Sequence, residues 1–116
     1  MKVEKFEDLI CWQKARSLAS ETYSCFKNNK DFSFKDQIQR AVISISNNIA
    51  EGFERNSNKD FNRFLYFAKG SSSEVKSMLI LGNRLGYLSD VEMKYYYYQI
   101  DEIGKMLYKL SISLPI

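Results

Sequence analysis

The chain has 116 residues, with 17 Lys and Arg, 14 Asp and Glu and no histidine. Its length, its 45% hydrophobic content and its single Pro are those of one ordinary folded domain, which we expect to span residues 1–116, and they exclude disordered and collagen-like chains. The absence of histidine excludes a Ser-His-Asp triad, a Cys-His dyad and a histidine-bound metal. We therefore expect no enzyme, no cofactor, no metal site and no small-molecule substrate.

The formal charge of +3 is only a mild basic bias, too small for a dedicated polyphosphate binder. Residues 1–8 carry acidic side chains where a signal peptide needs an apolar run, and no later stretch approaches ~20 apolar residues. We expect a cytoplasmic protein without a membrane segment. Cys11 and Cys25 would lie about 21 Å apart on one helix, which predicts two buried free thiols and no disulfide.

The first two helices are indicated by apolar residues at spacings of three and four. The first is predicted over about residues 7–29. Ser33 with Asp36 three residues later resembles a capping box, so the second is predicted to begin there and to end near Arg55 or Asn56. The apolar positions of the first helix are Leu9, Trp12, Ala15, Ala19, Tyr23 and Phe26. Those of the second are Phe34, Ile38, Ala41, Val42, Ile45, Ile49 and Phe53.

A third helix is predicted from Ser57, where Asp60 repeats the cap signature, to Gly86, a natural residue at a helix end. It is the longest of the predicted helices. Its apolar positions are Phe61, Phe64, Leu65, Ala68, Val75, Met78, Leu79 and Leu85.

The fourth helix begins at the clearest capping box, Ser89 with Glu92, and runs until shortly before Pro115. Its apolar positions are Met93, Tyr96, Ile100, Ile103, Leu107, Leu110 and Leu114. No alternating strand pattern occurs. Short connections force neighbouring helices to run antiparallel, so the sequence predicts an all-α, up-down-up-down four-helix bundle.

Aromatic residues are more numerous than one small core needs, at 15% of the chain. The run Tyr95–Tyr98 places rings around the whole circumference of the fourth helix, so some must face outward. Such tyrosines are either solvated or part of a subunit or ligand interface. We expect a homo-oligomer whose contacts use the first helix and the third or fourth helix, including this run.

A polar stripe on the second helix is separate from its apolar arc. It consists of Arg40, Ser44, Asn47, Asn48, Glu51 and Arg55. On the third helix Ser71 and Ser72 point to the apolar side, next to Glu74. The predicted structural network that fixes the register of the two helices comprises Arg40, Ser44, Asn48, Glu51, Ser71 and Glu74. A ligand or nucleic-acid surface is the second interpretation. In a catalytic interpretation, the acid-base pair could only be Glu51 and Glu74, and neither has a nucleophile or a metal-binding group beside it.

Basic residues at the turn between the second and third helices are candidate contacts to nucleic acid. These are Arg55, Lys59 and Arg63, joined by Lys35 and Lys69 if oligomerisation brings copies together. The alternative is that all five are ordinary solvated side chains.

Motifs along nearly the whole chain resemble those of the 23S rRNA intervening sequence protein family, also called the bacterial four-helix-bundle protein family. They include F-E-D-L and W-Q-K-A near the start, N-I-A-E-G-x-x-R at 48–55, A-x-G-S-x-x-E at 68–74 and L-G-Y-L at 85–88. The two middle stretches together are quite specific.

This resemblance implies an antiparallel four-helix bundle that forms a homopentamer and is encoded, in some bacteria, within insertions of the large ribosomal RNA genes. A similar bundle is the accessory variability protein of diversity-generating retroelements, which partners a reverse transcriptase and nucleic acid. The resemblance favours a non-enzymatic protein that binds RNA or a nucleoprotein. The alternative is an oligomeric scaffold that recruits a protein partner such as a reverse transcriptase.

Overall fold

The computed structural model describes residues 3–116. A short 3-10 turn, Phe6–Asp8, precedes four helices, and no strand occurs in this part of the chain. The helices are α1 (Ile10–Cys25), α2 (Phe32–Phe53), α3 (Asn58–Arg84) and α4 (Asp90–Ser113). The prediction of an all-α four-helix fold is confirmed. Within residues 3–116, no helix is both long enough and apolar enough to cross a membrane.

Helix α1 is shorter than the predicted span of residues 7–29. Leu9 has an extended backbone and ends the preceding turn, so α1 begins only at Ile10. At the other end the backbone leaves helical geometry at Phe26, whose amide still donates to the carbonyl of Thr22. The polar residues that follow therefore form a loop and do not add a further helical turn.

The observed N-terminal caps of the helices show which of the predicted helix starts are correct. Ser57 and Ser89 each accept a hydrogen bond from the amide three residues later, and Ser89 forms the complete reciprocal capping box with Glu92. The predicted cap at Ser33 is wrong, because α2 begins one residue earlier. Its cap is Asp31, whose carboxylate accepts from the amide of Phe34 at 3.1 Å.

The antiparallel order follows from contacts between helices, because partner numbers fall on one helix as they rise on the other. Between α2 and α3, Gln37 bonds Glu74 and Ser44 bonds Ser71. Between α3 and α4, Lys76 bonds Asp101, and Asn58 bonds Pro115 just after the end of α4. Between α1 and α4, Lys14 pairs with Glu102 and Tyr95 bonds Glu21. Each helix therefore packs against two antiparallel neighbours in a bundle about 44 Å long and 20 Å wide.

The core follows the predicted stripes closely. All seven predicted positions of α2 are buried or half-buried, and the central residues Ile45, Leu79 and Ile103 are at most 1% exposed. Leu85 is an exception: it is 49% exposed, because α3 ends at Arg84 and Leu85 is already its C-terminal cap. Gly86 follows with a φ of 80°, the left-handed conformation that favours glycine.

Both cysteines are free and lie on α1 as predicted. Cys11 is buried, and this burial raises the pKa of its thiol to about 11. Cys25 is half-buried beside the hydroxyl of Tyr96, and burial also raises its pKa. Neither sulfur is therefore an activated thiolate at neutral pH.

Candidate nucleic-acid interface

The predicted polar network between α2 and α3 divides into a packed part and an exposed part. Arg40 is exposed and pairs with Asp36 one turn away at 2.8 Å, with 79% of its side chain open to solvent. Glu51 is also exposed and pairs with Arg55 at 3.0 Å. Neither pair reaches α3, so the prediction that Arg40 and Glu51 bridge the two helices is wrong. Solvation and an i,i+4 partner satisfy both charges.

Only three of the predicted network residues are joined to one another. The Asn48 amide donates to the hydroxyl and the carbonyl of Ser44, at 2.9 and 2.8 Å. The Ser71 hydroxyl on α3 donates to the Ser44 hydroxyl at 2.9 Å. Glu74 stands apart, exposed at the surface, where it accepts a long hydrogen bond of 3.4 Å from Gln37. Among these residues, α2 and α3 are thus linked by the Ser71–Ser44 hydroxyl pair and the long Gln37–Glu74 hydrogen bond, and not by a charged network.

Gly52 is the residue that lets α2 approach α3 at the end of this seam. A Cβ atom there would lie 2.5 Å from the Cβ of Phe64 and 3.1 Å from a ring carbon of Phe61. The glycine that ends the N-I-A-E-G motif is therefore required by close helix packing.

The predicted contacts at the turn between α2 and α3 form an arginine-aromatic cluster. The guanidinium of Arg55 lies 4.6 Å from the ring centre of Phe64, and that of Arg63 lies 5.2 Å from the same ring. Each arginine also has an acidic partner one turn away, Arg63 with Asp60 at 3.4 Å. Lys59 is exposed beside them. These carboxylates offset much of the positive charge that the sequence assigned to the turn.

Lys35 and Lys69 do not join this cluster within one chain. Lys35 lies near the start of α2 and donates to the carbonyl of Lys27, so it is about 30 Å along the bundle from Arg55. Lys69 lies in the middle of α3, where its ammonium is 5.3 Å from the ring centre of Tyr108 on α4.

Lys69 instead marks a surface that the sequence reasoning missed, along the seam of α3 and α4. Three adjoining cavities of 530, 520 and 350 Å³ follow this seam. The first and second share Lys69 and Tyr108, and the second and third share Asp101. We call them together the lysine-tyrosine groove. The basic and aromatic residues that line it are Lys69, Lys76, Lys94, Lys105, Lys109, Tyr66, Tyr97, Tyr98 and Tyr108.

The groove carries an excess of positive charge. Five lysines line it, and Asp101 is its one carboxylate. Lys76 donates to Asp101 at 2.8 Å and Lys105 lies 3.5 Å from it, so hydrogen bonding and charge hold the pKa of Asp101 below its ordinary value. Asp101 is consequently ionised at neutral pH, and the groove keeps a formal charge of +4.

The sequence contained a signal for this groove, but only in combination. Lys69 and Lys76 are seven residues apart on α3, and Lys94, Lys105 and Lys109 fall on one side of α4. Each stripe alone is an ordinary solvated face. The two sets of lysines indicate a basic groove only once it is known that α3 and α4 are neighbours and that these two sides face the same seam.

The sequence also matches a known protein family. The family model described as 23S rRNA-intervening sequence protein matches residues 7–109. The chain belongs to this family.

The resemblance found in the sequence motifs is thereby confirmed. Among solved structures, the chain is similar to a protein of unknown function from the S23 ribosomal protein family of Bacteroides thetaiotaomicron VPI-5482. The two are 25% identical and superpose with a TM-score of 0.83, over 88% of this chain and 98% of that one. No curated protein matches.

Proposed function

We propose that this protein is a non-catalytic, cytoplasmic RNA-binding protein that acts in connection with intervening sequences of ribosomal RNA. The observation that carries the proposal is the charge of the lysine-tyrosine groove, five lysines against one carboxylate. Membership of the 23S rRNA-intervening sequence protein family supports RNA as the polyanion.

Binding would depend mainly on phosphates. Lysine ammonium groups neutralise backbone phosphates and release condensed counterions, which gives affinity with little sequence preference. Lys59 lies three residues before Asn62, which lines one end of the groove, so it extends the basic surface along α3. Of the five residues proposed from the sequence, Lys69 belongs to the groove itself and Lys59 adjoins it.

Charge reversal tests this proposal with a matched control. Lys105→Glu with Lys109→Glu reverses two groove charges, whereas Lys27→Glu with Lys30→Glu makes the same change in net charge at exposed positions elsewhere. We expect the first pair to weaken binding of structured ribosomal RNA at least about tenfold, and the second by less than about threefold. Equal effects of the two pairs, or no binding of any RNA at low salt, would refute the proposal.

A second candidate function, an oligomeric scaffold for a protein partner, is favoured by exposed apolar side chains near the junction of α3 and α4. Leu81 and Leu85 are 44 and 49% exposed, and Val91 is 79% exposed. Side chains of this kind are enriched in subunit contacts. We propose a homo-oligomer, and the resemblance of the sequence motifs implies a pentamer.

Light scattering measures this directly. A homo-oligomer gives a mass that is a multiple of 13.6 kDa, and five copies give the pentamer. Leu81→Lys with Leu85→Lys should lower the mass if these residues lie in the contact. A mass of 13.6 kDa that does not change with concentration would contradict both the oligomer and the scaffold.

A further inference from the structure

The lysine-tyrosine groove combines its charge with exposed aromatic rings. Tyr66, Tyr98 and Tyr108 are 75, 66 and 56% exposed. They are distributed along its length, Tyr66 in the first cavity, Tyr108 where the first and second meet, and Tyr98 in the third. Neither packing of the core nor binding by charge alone requires these rings to be exposed to solvent.

Lysines and tyrosines alternate within contact distance of one another. The ammonium of Lys69 lies 5.3 Å from the ring centre of Tyr108, and that of Lys76 lies 5.3 Å from the ring centre of Tyr97. Each cation is thus held next to a ring by a cation-π contact across the seam. A ligand in the groove would meet positive charge and flat apolar surface at the same time.

Two glycines leave the bottom of the groove without side chains. Gly70 on α3 lines the first cavity and Gly104 on α4 lines the second, and a Cβ added at either position would contact nothing within 4 Å. Asn62, Ser73 and Ser111 add hydroxyl and amide groups in the first cavity. From Asn62 to Ile80 the groove extends about 27 Å along α3.

We infer that the lysine-tyrosine groove binds single-stranded RNA, with bases stacked on its exposed tyrosines and phosphates at its lysines; this inference rests on the proposed function. A duplex presents phosphates but keeps its base faces stacked inside, so it can use the lysines and not the tyrosines. A single strand offers both its charge and its unstacked bases, the combination that single-strand-binding grooves recognise. In the first cavity the Asn62 side-chain oxygen accepts from Ser111, which leaves its N–H groups to donate to a ribose 2′-hydroxyl, the group that distinguishes RNA from DNA.

The test compares three labelled nucleic acids of about 16 nucleotides, a length at the upper end of single-strand site sizes. Fluorescence anisotropy would measure binding of single-stranded RNA, duplex RNA and single-stranded DNA to the full chain. We expect single-stranded RNA to bind most tightly. Equal or tighter binding of the duplex, or of single-stranded DNA, would overturn the inference.

Tyrosine variants separate stacking from charge. Tyr98→Ala and Tyr108→Ala should each weaken single-stranded RNA about 5- to 150-fold and leave duplex binding unchanged. Tyr98→Leu should weaken it similarly, because it keeps apolar bulk and removes the aromatic face. Tyr23→Ala is the control, since Tyr23 lies on α1, is 39% exposed and does not line the groove. Circular dichroism would verify that each variant is folded.

The outcomes distinguish this inference from the proposed function. If the tyrosine variants bind normally while Lys105→Glu with Lys109→Glu weakens all RNAs, the groove is an electrostatic RNA surface and the single-strand inference is wrong. If no nucleic acid binds the unmodified chain, the proposed function itself fails. If Tyr98→Ala lowers the mass in light scattering, a second copy of the chain covers the groove, which also overturns the inference.

Discussion

Gly52→Ala tests most sharply how α2 and α3 pack. The glycine is buried in α2 against Phe61 and Phe64 of α3. An added Cβ would lie 2.5 Å from the Cβ of Phe64. Because that atom is attached directly to the α3 backbone, rotation of the phenyl ring cannot relieve the contact. We therefore predict that this single methyl group destabilises the bundle.

The magnitude follows from the distance. Ordinary contact begins at 3.4 Å, so the two helices would have to separate by about 1 Å at this point. A gap of that size forfeits a quarter to a half of the dispersion energy of each contact, and overpacking costs ~1–3 kcal/mol. Alanine offsets about 1 kcal/mol of this through its higher helix propensity. If overpacking costs about 3 kcal/mol, the upper end of its range, the free energy of unfolding falls by a net amount of about 2 kcal/mol. This corresponds to a melting temperature about 8 °C lower.

Gly70→Ala and Gly104→Ala are the matched controls, because a Cβ at either position meets no atom within 4 Å. They should raise the free energy of unfolding by ~0.5–1 kcal/mol. Urea denaturation followed by far-UV circular dichroism measures all three variants on one scale. If Gly52→Ala is as stable as Gly104→Ala, the close approach of α2 and α3 is wrong.

Three further predictions concern the caps and the polar seam. The Tyr87 hydroxyl and the amide of Phe34 donate hydrogen bonds to Asp31 and lower the pKa of its carboxyl. The ionised carboxylate therefore stabilises the fold above the ordinary pKa of 3.8, and this contribution is lost as the pH falls. The urea midpoint should therefore drop more steeply below about pH 4 in the unmodified chain than in Asp31→Asn, and parallel curves would contradict this. Ser89→Ala removes the capping box and should cost about 1 kcal/mol in thermal unfolding, whereas an unchanged melting temperature would show that the cap contributes nothing. Arg40→Ala should change the free energy of unfolding by less than about 1 kcal/mol, because its pair is exposed; a loss of ~3 kcal/mol or more would restore the buried charged network.

The sequence predicted the helices well because their signals are local. Ser57 and Ser89 mark helix starts through bonds that span only three residues, and the stripe of α2 from Phe34 to Ile49 needs only the helical period. The start of α2 was misplaced because Ser33 and Asp31 are both good capping residues two positions apart. The preceding loop decides between them, since the Asn29 side chain accepts from the amide of Asp31.

The candidate site was harder to predict because it depends on pairing between helices. The polar stripe of α2 contains Ser44 and Asn48, which hydrogen-bond to each other, but the same wheel position could not show that Arg40 finds its partner on its own helix. The sequence makes Lys69 a candidate contact to nucleic acid only if oligomerisation brings copies of the chain together. Its neighbours Tyr108 and Lys105 are 36 or more residues away along the chain, and the antiparallel packing of α3 on α4 brings them together.

The dependence of RNA affinity on salt tests the central claim most directly. Logarithmic affinity for a single strand falls with logarithmic salt concentration at a slope of about −0.7 for each phosphate neutralised. If three to five of the groove lysines contact phosphates, with Lys105 and Lys109 among them, the slope should lie between about −2 and −3.5, and Lys105→Glu with Lys109→Glu should make it shallower by about 1.4. A slope near zero, or one that this double variant leaves unchanged, would contradict RNA binding through the lysine-tyrosine groove.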